Sequence, residues 1–214
     1  MSSSKSMSGT KTMTKPQSVS SSRMMIFRGL TLAGAAGMLV AWVMPWWQAW
    51  IVELKTPAAV IHPWGLENFM PPEYSSWLIG ADMPRGFGQL MWAFLAICLI
   101  CLAGSMFGED TPVQLGKLGS LLPKWMMRLP VPAWLIGGVG IAFIVCVLVC
   151  ALVIQIRSAE FYGASLQGTI NVAIDEHAKS DVTTGLVTGY WLAGAVGVFL
   201  FALSLLRNKI LGKT

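Results

Sequence analysis

Residues 29–52 read GLTLAGAAGMLVAWVMPWWQAWIV and carry no formal charge. A helix rises 1.5 Å per residue, so about 20 apolar residues are enough to cross the hydrocarbon core of a bilayer. Small residues recur every four positions along this stretch, at Gly29, Ala33, Gly37 and Ala41. Such a row lets another helix backbone approach closely. The stretch therefore predicts a membrane-spanning helix with one packing face.

The composition of the whole chain fits an integral membrane protein. Of its 214 residues, 55% are hydrophobic and only 12% are charged, and the mean hydropathy is +0.63. Soluble domains average about 25% charged residues. The predicted spans are residues 29–52, 86–108, 131–156 and 182–206. We therefore expect an all-α membrane protein, a four-helix transmembrane bundle that forms one domain over residues 23–214.

The charge distribution predicts how the spans are oriented. Most Asp and Glu side chains lie in two loops, residues 53–85 and 157–181, whereas most Lys and Arg side chains lie in the segments on the opposite side. The positive-inside rule then places both termini in the cytoplasm. Residues 1–22 are rich in Ser, Thr and Lys, which predicts a flexible cytoplasmic tail. A cleavable signal peptide is the competing interpretation, but the apolar run continues well past the small residues at 33–35.

The segments between the predicted spans also contain apolar residues whose spacing predicts secondary structure. The first outside loop is rich in Pro and large apolar residues, which predicts a small Trp-rich extracytoplasmic cap between helices 1 and 2 with a strand pair. In the second outside loop, the spacing of Phe161, Leu166 and Ile170 predicts a short helix. On the inner side, residues 118–129 predict an interfacial amphipathic segment. Four Trp residues are expected at the boundary between hydrocarbon and water: Trp42, Trp46, Trp47 and Trp50.

A second row of small residues occurs in the last span, at Gly185, Gly189, Ala193 and Gly197. Two arrangements remain open for the two rows. They pack against each other with the helices antiparallel, or either row packs against another subunit.

Candidate ligands for a metal ion lie in the outside loops. The candidates are His62, Asp175, His177 and Asp181, which supply the carboxylate oxygens and imidazole nitrogens that divalent ions bind. Sequence spacing does not require the geometry of a metal site, so ordinary solvated charges are the alternative, and we expect no cofactor. The predicted spans contain no Asp, Glu, Lys, Arg or His, which argues against a proton-coupled transporter.

All four cysteines lie in the second and third spans. Cys98 and Cys101 share one helix face, and Cys146 and Cys150 share another. A soft-metal site or a disulfide is one interpretation, because thiolates bind copper(I) or zinc. We expect the other, in which the thiols pack as small hydrophobic groups.

The layout, with a longer first outside loop and a shorter second one, resembles that of claudin-like tetraspan proteins. Those proteins carry Gly-Leu-Trp and two cysteines in the first loop, whereas this chain has Trp64, Gly65 and Leu66 in a different order and no cysteine there. The resemblance implies a four-span layout and carries over no function or site residue.

These observations predict a non-catalytic accessory or structural subunit of a larger integral membrane complex, such as an oxidoreductase assembly. Its expected partners are other integral membrane subunits and lipids, without nucleic acid, in the cell membrane or an intracytoplasmic membrane. Two alternatives remain: a stand-alone tetraspan recognition protein, and an extracytoplasmic enzyme whose metal site joins His62 to the acidic residues 175–181.

Overall fold

Four helices dominate the computed structural model, which describes residues 21–53, 55–69, 85–108, 130–162, 166–175 and 178–212. They are α1 (Ser21–Val43), α2 (Phe87–Phe107), α3 (Val131–Tyr162) and α4 (Thr188–Leu211). All four are long and apolar enough to cross a membrane. The prediction of four spanning helices is therefore confirmed.

The helices form a bundle in which α4 is central. It packs against both α3 and α1, whereas α2 packs mainly against α3. Close approach of α3 and α4 depends on two glycines: a Cβ atom on Gly140 would lie 2.6 Å from the backbone nitrogen of Phe201 and 2.8 Å from the carbonyl oxygen of Gly197. Side chains larger than hydrogen at these positions would separate the two backbones.

Both loops that are predicted to lie outside the membrane contribute to one antiparallel sheet at one end of the bundle. Its strands are β1 (Trp47–Ile51), β2 (Thr56–His62), β3 (Gly65–Asn68), β4 (Gly168–Asp175) and β5 (Ala178–Leu186), in the order β3-β2-β1-β5-β4. The predicted cap thus contains five strands and includes the second loop as well as the first. The short helix predicted in the second loop is wrong, because β-branched residues that favour strands, such as Thr169, Ile170 and Val182, continue through β4 and β5.

The first spanning helix begins and ends earlier than residues 29–52. Pro45 lacks an amide hydrogen and disfavours helical backbone at the residue before it, so α1 ends at Val43. The apolar residues that follow form β1, where buried Trp47, Ala49 and Ile51 alternate with more exposed neighbours. The last span is displaced as well, since residues 182–186 belong to β5 and α4 begins at Thr188.

The aromatic residues at the end of α1 lie inside the protein. Trp42 and Trp46 are fully buried, and the Trp42 ring contacts the rings of Trp46 and Trp92, each with its centroid at 6.2 Å. Trp47 lies in the core of the sheet, and of the four residues Trp42, Trp46, Trp47 and Trp50 the last alone is substantially exposed. Burial of these three rings within the protein leaves their depth at the boundary between hydrocarbon and water as a prediction.

The sheet rests on the outer part of α3. Ile154 of α3 is buried among the sheet residues, and the Trp47 indole N–H donates a hydrogen bond of 3.1 Å to the carbonyl oxygen of Leu166. The Leu166 amide in turn donates to the side-chain oxygen of Gln155 at 2.7 Å. These contacts hold the sheet against α3 and thereby fix its position above the bundle.

The two described ends of the chain meet at the end of the bundle opposite the sheet. The Arg23 guanidinium lies beside Gly212, and the guanidinium of buried Arg207 lies 5.3 Å from the centroid of the Phe27 ring. Arg207, predicted in a cytoplasmic segment, is thus part of α4. Ser21 and Ser22, predicted in the tail, begin α1, while residues 1–20 and the predicted amphipathic segment 118–129 lie outside the described residues.

Candidate functional site

The small residues of the first row do not share one environment. A Cβ atom on Gly37 would lie 3.0 Å from Val196 of α4, and Ala41 is fully buried. Gly29 has no atom within 4 Å of that position, and Ala33 is exposed. Gly37 therefore packs on α4 and Ala41 is enclosed in the protein, whereas Gly29 and Ala33 are open.

The second row is also divided. Gly197 packs against Ile144 and Gly140 of α3, and Ala193 is fully buried. Gly189 lies against Met44 and Pro45, where α1 ends. Gly185 lies in β5, paired with Gln48 of β1, and has open space beside it. The antiparallel contact of α1 with α4 thus involves Gly37 and Gly189, but the two rows do not face each other along their length.

An outward face of α1 carries a second arrangement of small residues. Gly29, Ala33, Ala36 and Val40 are all exposed, and their spacing places them along one stripe of the helix. Buried Gly34 lies on the far side of α1, toward Leu200 of α4. Among the described residues, none covers this face of α1, which carries the small residues Gly29, Ala33 and Ala36.

The predicted metal candidates are not brought together in the part of the chain that the structure describes. The Trp46 amide bonds to Ile61, beside His62, whereas the Val52 amide bonds to Asp181. Six residues of extended chain separate these two positions, which is roughly 20 Å at 3.3 Å per residue. The described backbone therefore keeps His62 apart from Asp181.

Individual candidates have ordinary environments or fall outside the description. The exposed Asp181 carboxylate accepts a hydrogen bond of 2.9 Å from the Asn171 side-chain amide. The backbone of Asp175 pairs with Ala178, and His177 lies outside the described residues. Among the residues described, no three His, Cys, Asp or Glu side chains are grouped so that they could hold a metal ion.

A cavity of about 90 Å³ lies where the sheet meets α2 and α3. Trp46 and Ile154 form part of its apolar wall. Four further lining residues carry sulfur or imidazole groups, and these are His62, Met91, Cys146 and Cys150. An imidazole from β2, a thioether from α2 and two thiols from α3 thus line an otherwise apolar cavity.

His62 is held in place by its neighbours at the sheet end of the cavity. Its side chain is only 11% exposed, and its ring stacks on Trp64 with the centroids 4.8 Å apart. The Nε2 atom lies 3.8 Å from a carboxylate oxygen of Glu67, and the buried Nδ1 atom has no hydrogen-bond partner within the described part of the chain. Trp64 and Glu67 therefore restrict the orientation of the His62 ring, which lines the cavity.

Sequence reasoning did not find this cavity. It paired each cysteine with the neighbour on its own helix. Met91 lies seven residues before Cys98 on α2. This spacing indicates that both side chains lie on the same face of the helix. The contribution of His62 follows from the sheet, which was predicted only as a strand pair.

No protein-family model matches the chain, and a search of curated proteins finds no significant sequence similarity. A functional assignment therefore depends on the chain's own surfaces and cavity.

Proposed function

We infer that this protein is a non-catalytic subunit of a larger integral membrane complex, an oxidoreductase assembly being one example, with both termini in the cytoplasm. The observation that carries the proposal is the uncovered stripe of Gly29, Ala33, Ala36 and Val40 on α1. Lipid chains solvate a large apolar side chain as well as another helix does, so helix association in a membrane depends on close backbone contact. A small-residue stripe on an outward face supports a partner helix at that position.

The same stripe explains why the partner would be a helix. Gly29 offers space for a neighbouring backbone, and Val40 at the other end supplies an apolar contact at the same helical phase. Apolar side chains flank the stripe, among them Ile26 and Leu32, each more than half exposed. These features support van der Waals packing within the bilayer rather than a polar docking site.

The test is co-purification with a leucine at the outward glycine. Gly29→Leu adds a branched side chain where no atom lies within 4 Å, so the isolated chain should fold and elute as before. The same change should disrupt close packing with a partner helix and reduce co-purifying protein by at least tenfold. Stability of the isolated chain in detergent and recovery of the partner are measured on the same preparation.

Gly34→Leu is the matched control on the far side of α1. A Cβ atom there would lie 3.3 Å from the Cγ atom of Leu200 and 3.4 Å from Phe199, so leucine should destabilise the isolated chain itself. If Gly29→Leu leaves both stability and co-purification unchanged, the stripe faces lipid and the proposal loses its support.

A stand-alone recognition protein is the second candidate. It draws on the exposed polar face of the sheet, where Thr169 and Thr183 lie beside the hydrogen-bonded Asn171 and Asp181. Purification as a single chain, with no loss on Gly29→Leu, would favour this candidate over the subunit.

A further inference from the structure

We propose that the cavity beneath the sheet binds the end of an acyl chain from a membrane lipid. The cavity has a volume of about 90 Å³ and lies where β2 meets α2 and α3. Its lining is apolar, and it opens on a face of α3 whose side chains are exposed. This site is independent of the proposed subunit role.

The residues that line the cavity offer a ligand almost no polar surface. The indole N–H of Trp46 already donates a hydrogen bond of 2.8 Å to the carbonyl oxygen of Ala41, so only the ring carbons remain to contact a ligand. The Nδ1 atom of His62 is buried, and its Nε2 atom lies 3.8 Å from the Glu67 carboxylate. Thiols and thioethers pack as hydrophobic groups. The lining therefore fits a hydrocarbon.

Water does not suit a space of this kind. A buried water makes about three hydrogen bonds, and even a larger apolar cavity of about 150 Å³ stays dry. An empty space deprives the side chains around it of dispersion contacts. An apolar occupant would restore those contacts to buried walls such as Met91 and Ile154.

The opening of the cavity faces the hydrocarbon of the bilayer. Among the lining residues, Val149 is the most exposed, at 50%. It lies roughly 10 Å along the helix axis from Ile156, where the spanning segment ends. Val145, Leu148 and Leu152 are at least half exposed on the same helix. Lipid acyl chains are therefore the apolar groups at the entrance.

The size of the cavity selects the end of a chain over a larger apolar molecule. An apolar cavity of about 150 Å³ holds one benzene molecule, so a cavity of about 90 Å³ holds roughly four carbon atoms. Trp46, Pro63 and Ile154 are buried and leave no second opening at their positions. A chain that enters beside Val149 therefore ends within the cavity.

The test is photo-crosslinking of the full-length chain in phosphatidylcholine vesicles. The probe is a phosphatidylcholine with a diazirine beside the terminal methyl group of one acyl chain, and mass spectrometry identifies the labelled residues. Trp46 and Met91 are buried, so a chain must enter the cavity to label them. We expect at least tenfold more label on both than on Leu95 and Phe143, which are also buried but do not line the cavity.

Val149→Phe and Val145→Phe form a matched pair of variants. Both valines are half exposed on α3, one turn apart, and only Val149 lines the cavity. Phenylalanine at the entrance should lower the labelling of Trp46 and Met91 at least tenfold, whereas Val145→Phe should leave it unchanged. Near-normal elution and circular dichroism show that both variants fold.

A second probe carries the diazirine beside the glycerol ester and should leave Trp46 and Met91 unlabelled, because the cavity holds only the chain end. The proposal is overturned if the first probe labels these two residues no more than Leu95 and Phe143. It is also overturned if the second probe labels them as strongly as the first, or if Val149→Phe lowers their labelling no more than Val145→Phe does.

Discussion

The substitution Gly140→Ala tests the contact between Gly140 of α3 and Gly197 of α4 through its effect on stability. The new Cβ atom would lie 2.6 Å from the Phe201 backbone nitrogen and 2.8 Å from the Gly197 carbonyl oxygen. Ordinary contacts of a Cβ atom are 3.4–4 Å, and backbone atoms cannot move aside as a flexible side chain can. The two helices must therefore separate by several tenths of an ångström along the largest interface of the bundle.

The expected cost of this separation is set by overpacking. Extra methyl groups in a packed core destabilise by roughly 1–3 kcal/mol, and contact with backbone atoms of both Gly197 and Phe201 places Gly140→Ala near the upper part of that range. The gain in helix propensity from Gly to Ala offsets at most about 1 kcal/mol. We therefore expect net destabilisation of about 1–2 kcal/mol, which is roughly 5- to 30-fold in the unfolding equilibrium constant.

The assay is reversible unfolding of the purified chain in mixed micelles, with Gly138→Ala as the control. Gly138 is on the same helix, is exposed and has no atom within 4 Å of its Cβ position, so alanine there should stabilise the chain by up to about 1 kcal/mol through helix propensity alone. Equal stability of the two variants would refute the close approach of α3 and α4.

Two further predictions concern the sheet and the orientation. Trp47→Phe removes the indole N–H that donates to the carbonyl oxygen of Leu166, and its loss should lower the free energy of unfolding by roughly 1 kcal/mol. Amide hydrogen exchange should become faster at the start of β4 and stay unchanged in α4. Unaltered exchange in β4 would show that this hydrogen bond does not anchor the strand. Protease applied to right-side-out vesicles should leave residues 1–22 intact, whereas digestion of that tail from outside would reverse the predicted orientation.

The parts of the fold that follow from hydropathy could be predicted from the sequence. The second span agrees closely with α2, because Gly86 and Gly108 bound an apolar run that has no competing structure. The first predicted span does not agree with α1, because hydropathy alone cannot distinguish an apolar strand such as β1 from the continuation of an apolar helix. Pro45 and the alternation of residues 47–51 were the available signals for the end of α1 and the start of β1.

Contacts between distant segments could not be predicted. The pairing of β1 with β5 joins the end of the first predicted span to the second predicted loop, and nothing in either segment alone specifies the other as its partner. The cavity depends on that pairing and on the packing of α2 against α3, so the meeting of Met91 with Cys146 follows only from the assembled fold. The small-residue rows were visible, but helical phase decides that Gly37 packs inward while Gly29 faces outward.

The most direct test of the subunit proposal is the mass of the intact native complex. The protein is extracted from its own membrane in mild detergent without crosslinking, and the mass of the complex is determined together with its polypeptide composition. We predict a complex heavier than the single 23.1 kDa chain that contains at least one different membrane polypeptide. A mass equal to one chain, or to a whole number of identical chains, would contradict the proposed function.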